Sequence, residues 1–382
     1  MYAQNFRYLP NNNYIVKTYQ NLFPLICSFE NLLEASRKAR KGKRSKTDVG
    51  RFEIELEKEL LTVREELVSN RYSPGRYREF HVYEPKKRFI SAAPYRDRVV
   101  HHAVCNIIEP IFERTFIHDS YANRKEKGTH RAILRYQRLC RRNKYLLKCD
   151  IKKFFPSIDH DILKQQIRSK FSCPETLWLV NKIIDSSNPQ EPVLDYYDGD
   201  TLFSPTERRK GLPIGNLTSQ FFANVYLNPL DHFVKEQLRC RDYVRYADDF
   251  VLFSNNKMEL HGWRCEIERY LQSLRLHFHP NKTKVFQSKE GVEFLGHRIF
   301  PSHRLLKKAN VKAFRKRLRS MQIEYGQGLI TIAKVRDRLR SWIAHASFSN
   351  TYYFSSVPRK PFKILVSYYS QSDDGKKPLK SI

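Results

Sequence analysis

Two adjacent carboxylates, Asp248 and Asp249, separate the apolar runs Tyr243 to Ala247 and Phe250 to Phe253. A two-residue connection between strand-like runs tolerates Asp, whose short side chain permits positive φ, so the pair is expected at the tip of a hairpin. Like charges this close repel unless a cation lies between them. A third carboxylate, Asp150, ends the apolar run Tyr145-Leu-Leu-Lys-Cys. If the strands carrying it and the Asp pair lie side by side in one antiparallel sheet, three carboxylates share one site. Such hard oxygen ligands suit Mg2+, which is held by a few carboxylates plus substrate phosphates. Two ions about 4 Å apart activate an attacking 3′-hydroxyl and stabilise leaving pyrophosphate, which is nucleotidyl transfer. For the Asp pair alone, a solvated turn is the competing reading.

Composition narrows the substrate. Lys and Arg number 70 against 40 Asp and Glu in 382 residues, a formal net charge of +30, which favours a polyanionic partner, nucleic acid first. No window approaches the roughly 20 apolar residues of a transmembrane helix, and Met1 to Asn13 lacks the charged-then-apolar layout of a secretory signal; a soluble, cytoplasmic protein is expected. The seven cysteines contain no Cys-x-x-Cys pair, which argues against a disulfide framework and structural zinc and for buried, reduced thiols. His101-His102 and His277-x-His279 lack partners at metal-ligand spacing and read as strand or helix surface.

The elements that must position the carboxylates follow from periodicity. Helical spacing covers Asn21 to Ala39, then a basic run Arg37 to Lys46, then an amphipathic helix from Phe52 to Leu67. Phe80 to Tyr83 and Phe89 to Ala92 read as strands around the turn Glu84 to Lys87, a basic hairpin suited to a triphosphate. Arg98 to Arg114 is an apolar core helix, and Gly128-Thr-His opens another. Tyr145 to Asp150 is a buried strand, with a helix starting near Asp159. Ser187 to Arg209 is rich in Asp, Pro and Gly, a loop or hairpin insertion, leading through Gly211-Leu-Pro-Ile-Gly215 to a helix beginning around Leu217. After the Asp hairpin come a helix from Met258 to Leu274, short strands at His277, Lys284 to Phe286 and Val292 to Phe300, and basic helices from Ala309 to about Ala346. Ser347 to Ile382 reads as peripheral.

Strand-Asp150 with Phe154-Phe155, Gly215-x-x-x-Ser219, Tyr246-Ala-Asp-Asp249 and Phe294-Leu-Gly296 occur in the order seen in reverse transcriptases, which the chain resembles over roughly residues 20–350. Within that superfamily, Ile214-Gly-Asn-Leu-Thr-Ser-Gln220 resembles the reverse transcriptases of diversity-generating retroelements, where most relatives carry Gln-Gly and Ser-Pro at the corresponding ends. Arg88-Phe-Ile-Ser-Ala-Ala-Pro94, Asp97-Arg-Val-Val-His101, Gly128-Thr-His130 and Ala223-Asn-x-Tyr-Leu227 look like the same subfamily.

The resemblance implies an α+β right-hand polymerase with fingers, a palm bearing an antiparallel ferredoxin-like sheet, and a helical thumb. The expected boundaries are a helical, basic extension at 1–50, fingers at 51–145, palm at 146–300 with a fingers insertion at about 160–212, thumb at 301–350 and a basic tail at 351–382. It implies Asp150 and Asp248 as main ligands of two Mg2+ ions, with Asp249 assisting and Ile151 a further metal contact. Arg88, Lys153, Phe154, Phe155, Ile214, Gly215, Gln220 and Lys282 would form the nucleotide site. Arg88 would meet the triphosphate, Lys153 and Phe154 would offer amides, and Phe155 would crowd the 2′-hydroxyl. Gly215 would admit backbone close to the base pair, and Lys282 would help protonate pyrophosphate. Phe294-Leu295-Gly296 resembles the primer grip. The short segment after residue 350 leaves no room for an RNase H, endonuclease or large DNA-binding domain. The implied activity is RNA-directed DNA synthesis from a template-repeat RNA, error-prone at adenines, that diversifies a target gene. The implied partners are template RNA, the RNA–DNA duplex, deoxynucleotides and a small, oligomeric basic accessory variability protein. Competing readings are another bacterial reverse transcriptase, of retron, abortive-infection or group II intron type, and a catalytically inactive RNA-binding relative.

Overall fold

The structure, a computed structural model, describes residues 4–9, 12–83, 87–187, 193–197 and 199–350. Helices and antiparallel sheets alternate along the chain, which divides into two compact units, residues 1–287 and 288–382. The α+β class with antiparallel pairing is the one expected.

The first unit opens with an antiparallel hairpin of β1 (Gln4–Leu9) and β2 (Asn12–Tyr19), where a helical, basic extension was expected. Helices Phe23–Ile26 and Phe29–Ala39 follow; the second starts where the Ser28 hydroxyl accepts from the Asn31 amide, a side-chain N-cap. The single amphipathic helix expected from Phe52 to Leu67 is two helices, Thr47–Ile54 and Leu56–Val68, because Glu55 at φ −111° and ψ 37° breaks the ladder. Next, β3 (Arg78–Val82) pairs with β4 (Arg88–Ala92), and β3 is exposed along its whole length. Most of the turn expected at 84–87 lies outside the described residues. Helix Tyr95–Glu113 then runs through the core, burying Val99, Val100, Ala103, Val104 and Ile108. His101, expected at a surface, is buried in this helix with neither ring nitrogen partnered.

The central sheet orders β6 (Tyr243–Tyr246), β7 (Asp249–Ser254), β5 (Tyr145–Asp150) and β8 (Lys284–Gln287), all antiparallel. Alternation explains its faces: Leu147 and Cys149 of β5 point into the core, while Lys148 and Asp150 share the half-exposed face. Helix Lys257–Ser273 packs on β5 and β7, with Asn256 accepting from the Met258 and Glu259 amides at its start. Helix Leu217–His232 buries Phe221, Phe222, Val225, Tyr226 and Leu227 against the long core helix. Ahead of helix Leu217–His232, the described part of the segment 187–209 is irregular except for helix Ser204–Glu207. Six cysteines are buried thiols outside any disulfide, as expected, but Cys265 is exposed.

The second unit contains β9 (Val292–Phe294), β10 (His297–Ile299) and β11 (Arg304–Leu306), in the order β11-β10-β9. Helices Lys308–Gly326 and Ile332–Ser347 pack together through Phe314, Leu318, Met321 and Leu339. The Phe314 and Trp342 rings stack at 3.9 Å.

Candidate active site

Six apolar-rich residues make β5 a strand, and its pairing sets where Asp150 ends up. In the β5–β7 register Asp150 lies directly opposite Asp249. Tyr246 pairs with Asp249 across the β6–β7 hairpin, so the connecting turn is Ala247-Asp248. This corrects the expectation that both aspartates form the tip: Asp249 is the first residue of β7, and Ala247, not an Asp, carries the positive φ of 55°. The net result is that Asp150, Asp248 and Asp249 meet at one end of the central sheet.

The electrostatics are those of crowded carboxylates. Burial pushes the Asp249 carboxyl up to about 7, with Asp248 and Asp150 adding to the shift and Lys148 opposing it. Burial also raises Asp248, reinforced by Asp150 and opposed by Lys282 and Arg88. Lys282 Nζ donates to both oxygens of Asp150, at 3.0 and 3.2 Å, and Lys148 Nζ lies 3.8 Å from Asp249 Oδ2. Asp249 Oδ1 is buried without a hydrogen-bond partner. A buried carboxylate oxygen with no donor is costly unless it meets a cation, and a set of hard oxygens with one orphaned member fits Mg2+. Among the described residues, no group of three or more His, Cys, Asp or Glu side chains is close enough to hold a metal by itself. Mg2+ does not require such a cage, since it keeps waters and takes phosphate oxygens from its substrate.

The other expected site residues fall into two groups. Lys153, in the left-handed region at φ 44°, caps the one-turn helix Phe154–Ser157 just after Asp150. Ile151 is buried and bridges to Phe278. Phe154 is a core residue, its ring 5.5 Å from that of half-buried Phe155. Ile214 docks beside β4, its carbonyl accepting from the Ser91 amide at 3.1 Å, so the Ile214-Gly215 segment and Arg88 belong to one neighbourhood. Gly215 has φ 124°, a conformation that favours glycine, and a Cβ there would press on Ile90 Cγ2 at 3.0 Å. Gln220 is half-buried on the helix that follows. The second group is Phe294, Leu295 and Gly296, which form the β9–β10 turn of the second unit. Leu295 at φ 47° and Gly296 at φ 84° make a two-residue left-handed turn, and Phe294 is buried in that unit.

Lys148 and Arg245 were not singled out from sequence. Lys148 carries a readable signal, lying two residues before Asp150 and therefore on the same strand face. Arg245, which reaches the Ala247 carbonyl from inside the protein, carries none.

The family described as reverse transcriptase (RNA-dependent DNA polymerase) matches residues 82–299. Protein YkfC of Escherichia coli is 28% identical over 328 residues, which cover 73% of this chain and 83% of YkfC. The group II intron-encoded protein LtrA of Lactococcus lactis is 21% identical over 64% of this chain and 50% of its own length. Apo telomerase from Candida tropicalis, a solved structure, aligns with a TM-score of 0.44 at 13% identity, covering 60% of this chain and 48% of that one.

Proposed function

Since the chain belongs to the reverse transcriptase (RNA-dependent DNA polymerase) family, we propose that it extends a DNA primer on an RNA template from the carboxylate end of its central sheet. The observation that carries this reading is the Asp150–Asp249 register pair with Asp248 on the adjoining turn. Asp150 and Asp248 would hold Mg2+, with Asp249 and Ile151 assisting. When bound, the metal supplies the charge that activates a 3′-hydroxyl and stabilises leaving pyrophosphate. The protein's own residues do the rest. Arg88 and Lys282 balance the carboxylates before substrate arrives and meet triphosphate when it does, Lys282 giving a proton to pyrophosphate. Lys153 and Phe154 offer backbone amides to phosphate oxygens, and the Phe155 ring leaves no room for a 2′-hydroxyl, which selects deoxynucleotides. Gly215 admits the base pair, with Ile214 and Gln220 at its edges. Residues 51–145 act as fingers, 146–300 as palm and 301–350 as thumb, with Phe294-Leu295-Gly296 gripping the primer. The helices of the second unit are rich in Lys and Arg, which suits a duplex backbone.

The finer reading is that this is the polymerase of a diversity-generating retroelement, working with a basic accessory protein and miscopying template adenines. It rests on Ile214 to Gln220. A second reading, a bacterial enzyme of group II intron type, is favoured by the likeness to LtrA. Sequencing cDNA from RNA that copurifies with the protein separates them. Errors concentrated opposite adenines of a repeat RNA support the first, whereas uniform errors on an intron RNA support the second.

A further inference from the structure

Arg245 is fully buried, as is its partner Asp231 on helix Leu217–His232. Burying a guanidinium and a carboxylate costs both their hydration, and a well-packed apolar pair at such a position is often as stable or more so. Stability alone therefore does not account for the pair, and its geometry suggests another role. Arg245 Nε donates to Asp231 Oδ1 at 2.7 Å, and Nη2 to Oδ2 at 2.6 Å, a two-pronged grip that fixes the guanidinium plane. The Tyr243 hydroxyl donates to the same carboxylate at 2.8 Å. The remaining prong, Nη1, donates to Asn224 Oδ1 at 3.1 Å and to the Ala247 carbonyl at 3.2 Å. Asn224 is itself fixed, its Nδ2 donating to the Ala122 carbonyl at 2.8 Å. The Arg245 backbone is held from the other side, its amide donating to Asp119 and its carbonyl accepting from Tyr121, both at 2.9 Å.

Ala247 adopts φ 55°, a region that a residue with a Cβ occupies at a cost. Its carbonyl belongs to the peptide that leads directly into Asp248, so whatever orients that carbonyl orients the base of the Asp248 side chain. We propose that the Asp231–Arg245–Asn224 cluster is a clamp that holds the Ala247-Asp248 peptide, making Arg245 a positioning residue for the carboxylate of Asp248. The inference rests on the reading that Asp248 serves the chemistry. Lysine could keep the charge against Asp231, but its single nitrogen cannot also reach Ala247, because the role requires a planar fork.

Two variants test this beside the parent, in primer extension on an RNA template with thermal unfolding measured on the same samples. R245K retains the charge. D231L/R245M removes both charges together, so that no buried ion is left unpaired, as a single change would leave it. For both, the clamp predicts a kcat lower by about 10- to 100-fold, with KM for deoxynucleotide and affinity for primer–template within about threefold of the parent. D231L also strands the Tyr243 hydroxyl, so the double variant melts a few degrees lower than the parent but stays folded at the assay temperature. A purely structural pair would instead lower activity only in proportion to the folded fraction. A folded D231L/R245M with parental kcat overturns the clamp while leaving the polymerase reading intact. A parent that makes no DNA overturns the polymerase reading itself.

Discussion

Replacing Asp249 with Asn should make the metal-free protein more stable while removing a carboxylate from the site. The parent's carboxyl is raised from 3.8 to about 7, burial being the main cause and Asp248 and Asp150 adding to it. At about 1.4 kcal/mol per pH unit, keeping Asp249 ionised in the folded state costs on the order of 4 kcal/mol above pH 7. Its side chain is 24% exposed, so solvent relaxation brings the observable part to about 1–3 kcal/mol. The sign follows from linkage. Between pH 3.8 and 7 the folded protein binds the proton that the unfolded chain has released, so the cost grows as pH rises through that window and is complete above it. Asn carries no charge at any of these pH values. In EDTA, D249N should therefore unfold at higher urea than the parent at pH 8, with the gap narrowing by pH 5. Adding Mg2+ should stabilise the parent more than the variant, because a ligand that binds only the folded state stabilises it by mass action. An unchanged or lowered midpoint for D249N in EDTA at pH 8 would refute the claim that burial, with the neighbouring carboxylates, disfavours ionised Asp249.

Three further outcomes follow. Burial lowers His101 to about 3, with His102 and Arg98 contributing; below its ordinary value of 6.5 the unfolded chain takes up a proton the folded one refuses. The parent should thus lose about 2 kcal/mol relative to H101L between pH 7 and pH 5, and parallel urea midpoints would exclude this. Phe155→Val should raise ribonucleotide incorporation tenfold or more, and an unchanged sugar preference would reduce Phe155 to a packing residue. Ile214→Gln adds a polar group beside β4 and should lower misincorporation opposite template adenines, each ~1.4 kcal/mol of regained discrimination being worth tenfold; an equal error spectrum in cDNA from both enzymes would separate Ile214 from fidelity.

Much of the site was legible because it depends on local pattern. The run Tyr145 to Asp150 predicts a strand with a carboxylate at its end, and the alternation around Asp248 and Asp249 predicts a hairpin; both are present. The one-residue displacement of the turn was not legible, since Asp tolerates positive φ better than Ala. The local preference loses because the Tyr246–Asp249 pairing fixes the register and the buried Arg245 holds the Ala247 carbonyl. Asp231 and Arg245 are 14 positions apart on a helix and a strand, and no periodicity joins them. The opening hairpin, β1 with β2, did leave a trace in the Pro10-Asn-Asn-Asn turn signal between two mixed runs, although the aromatic, polar composition obscured it.

The central claim is that Asp150, Asp248 and Asp249 form one centre for Mg2+-dependent DNA synthesis on RNA. Primer extension with deoxynucleotides on an RNA template, comparing the parent with D248A/D249A at matched circular dichroism, tests it most directly. The account predicts synthesis by the parent that requires Mg2+ and is lost by at least 10³-fold in the variant, in line with the several kcal/mol that metal-borne charge stabilisation supplies. Equal extension by a folded D248A/D249A would contradict it.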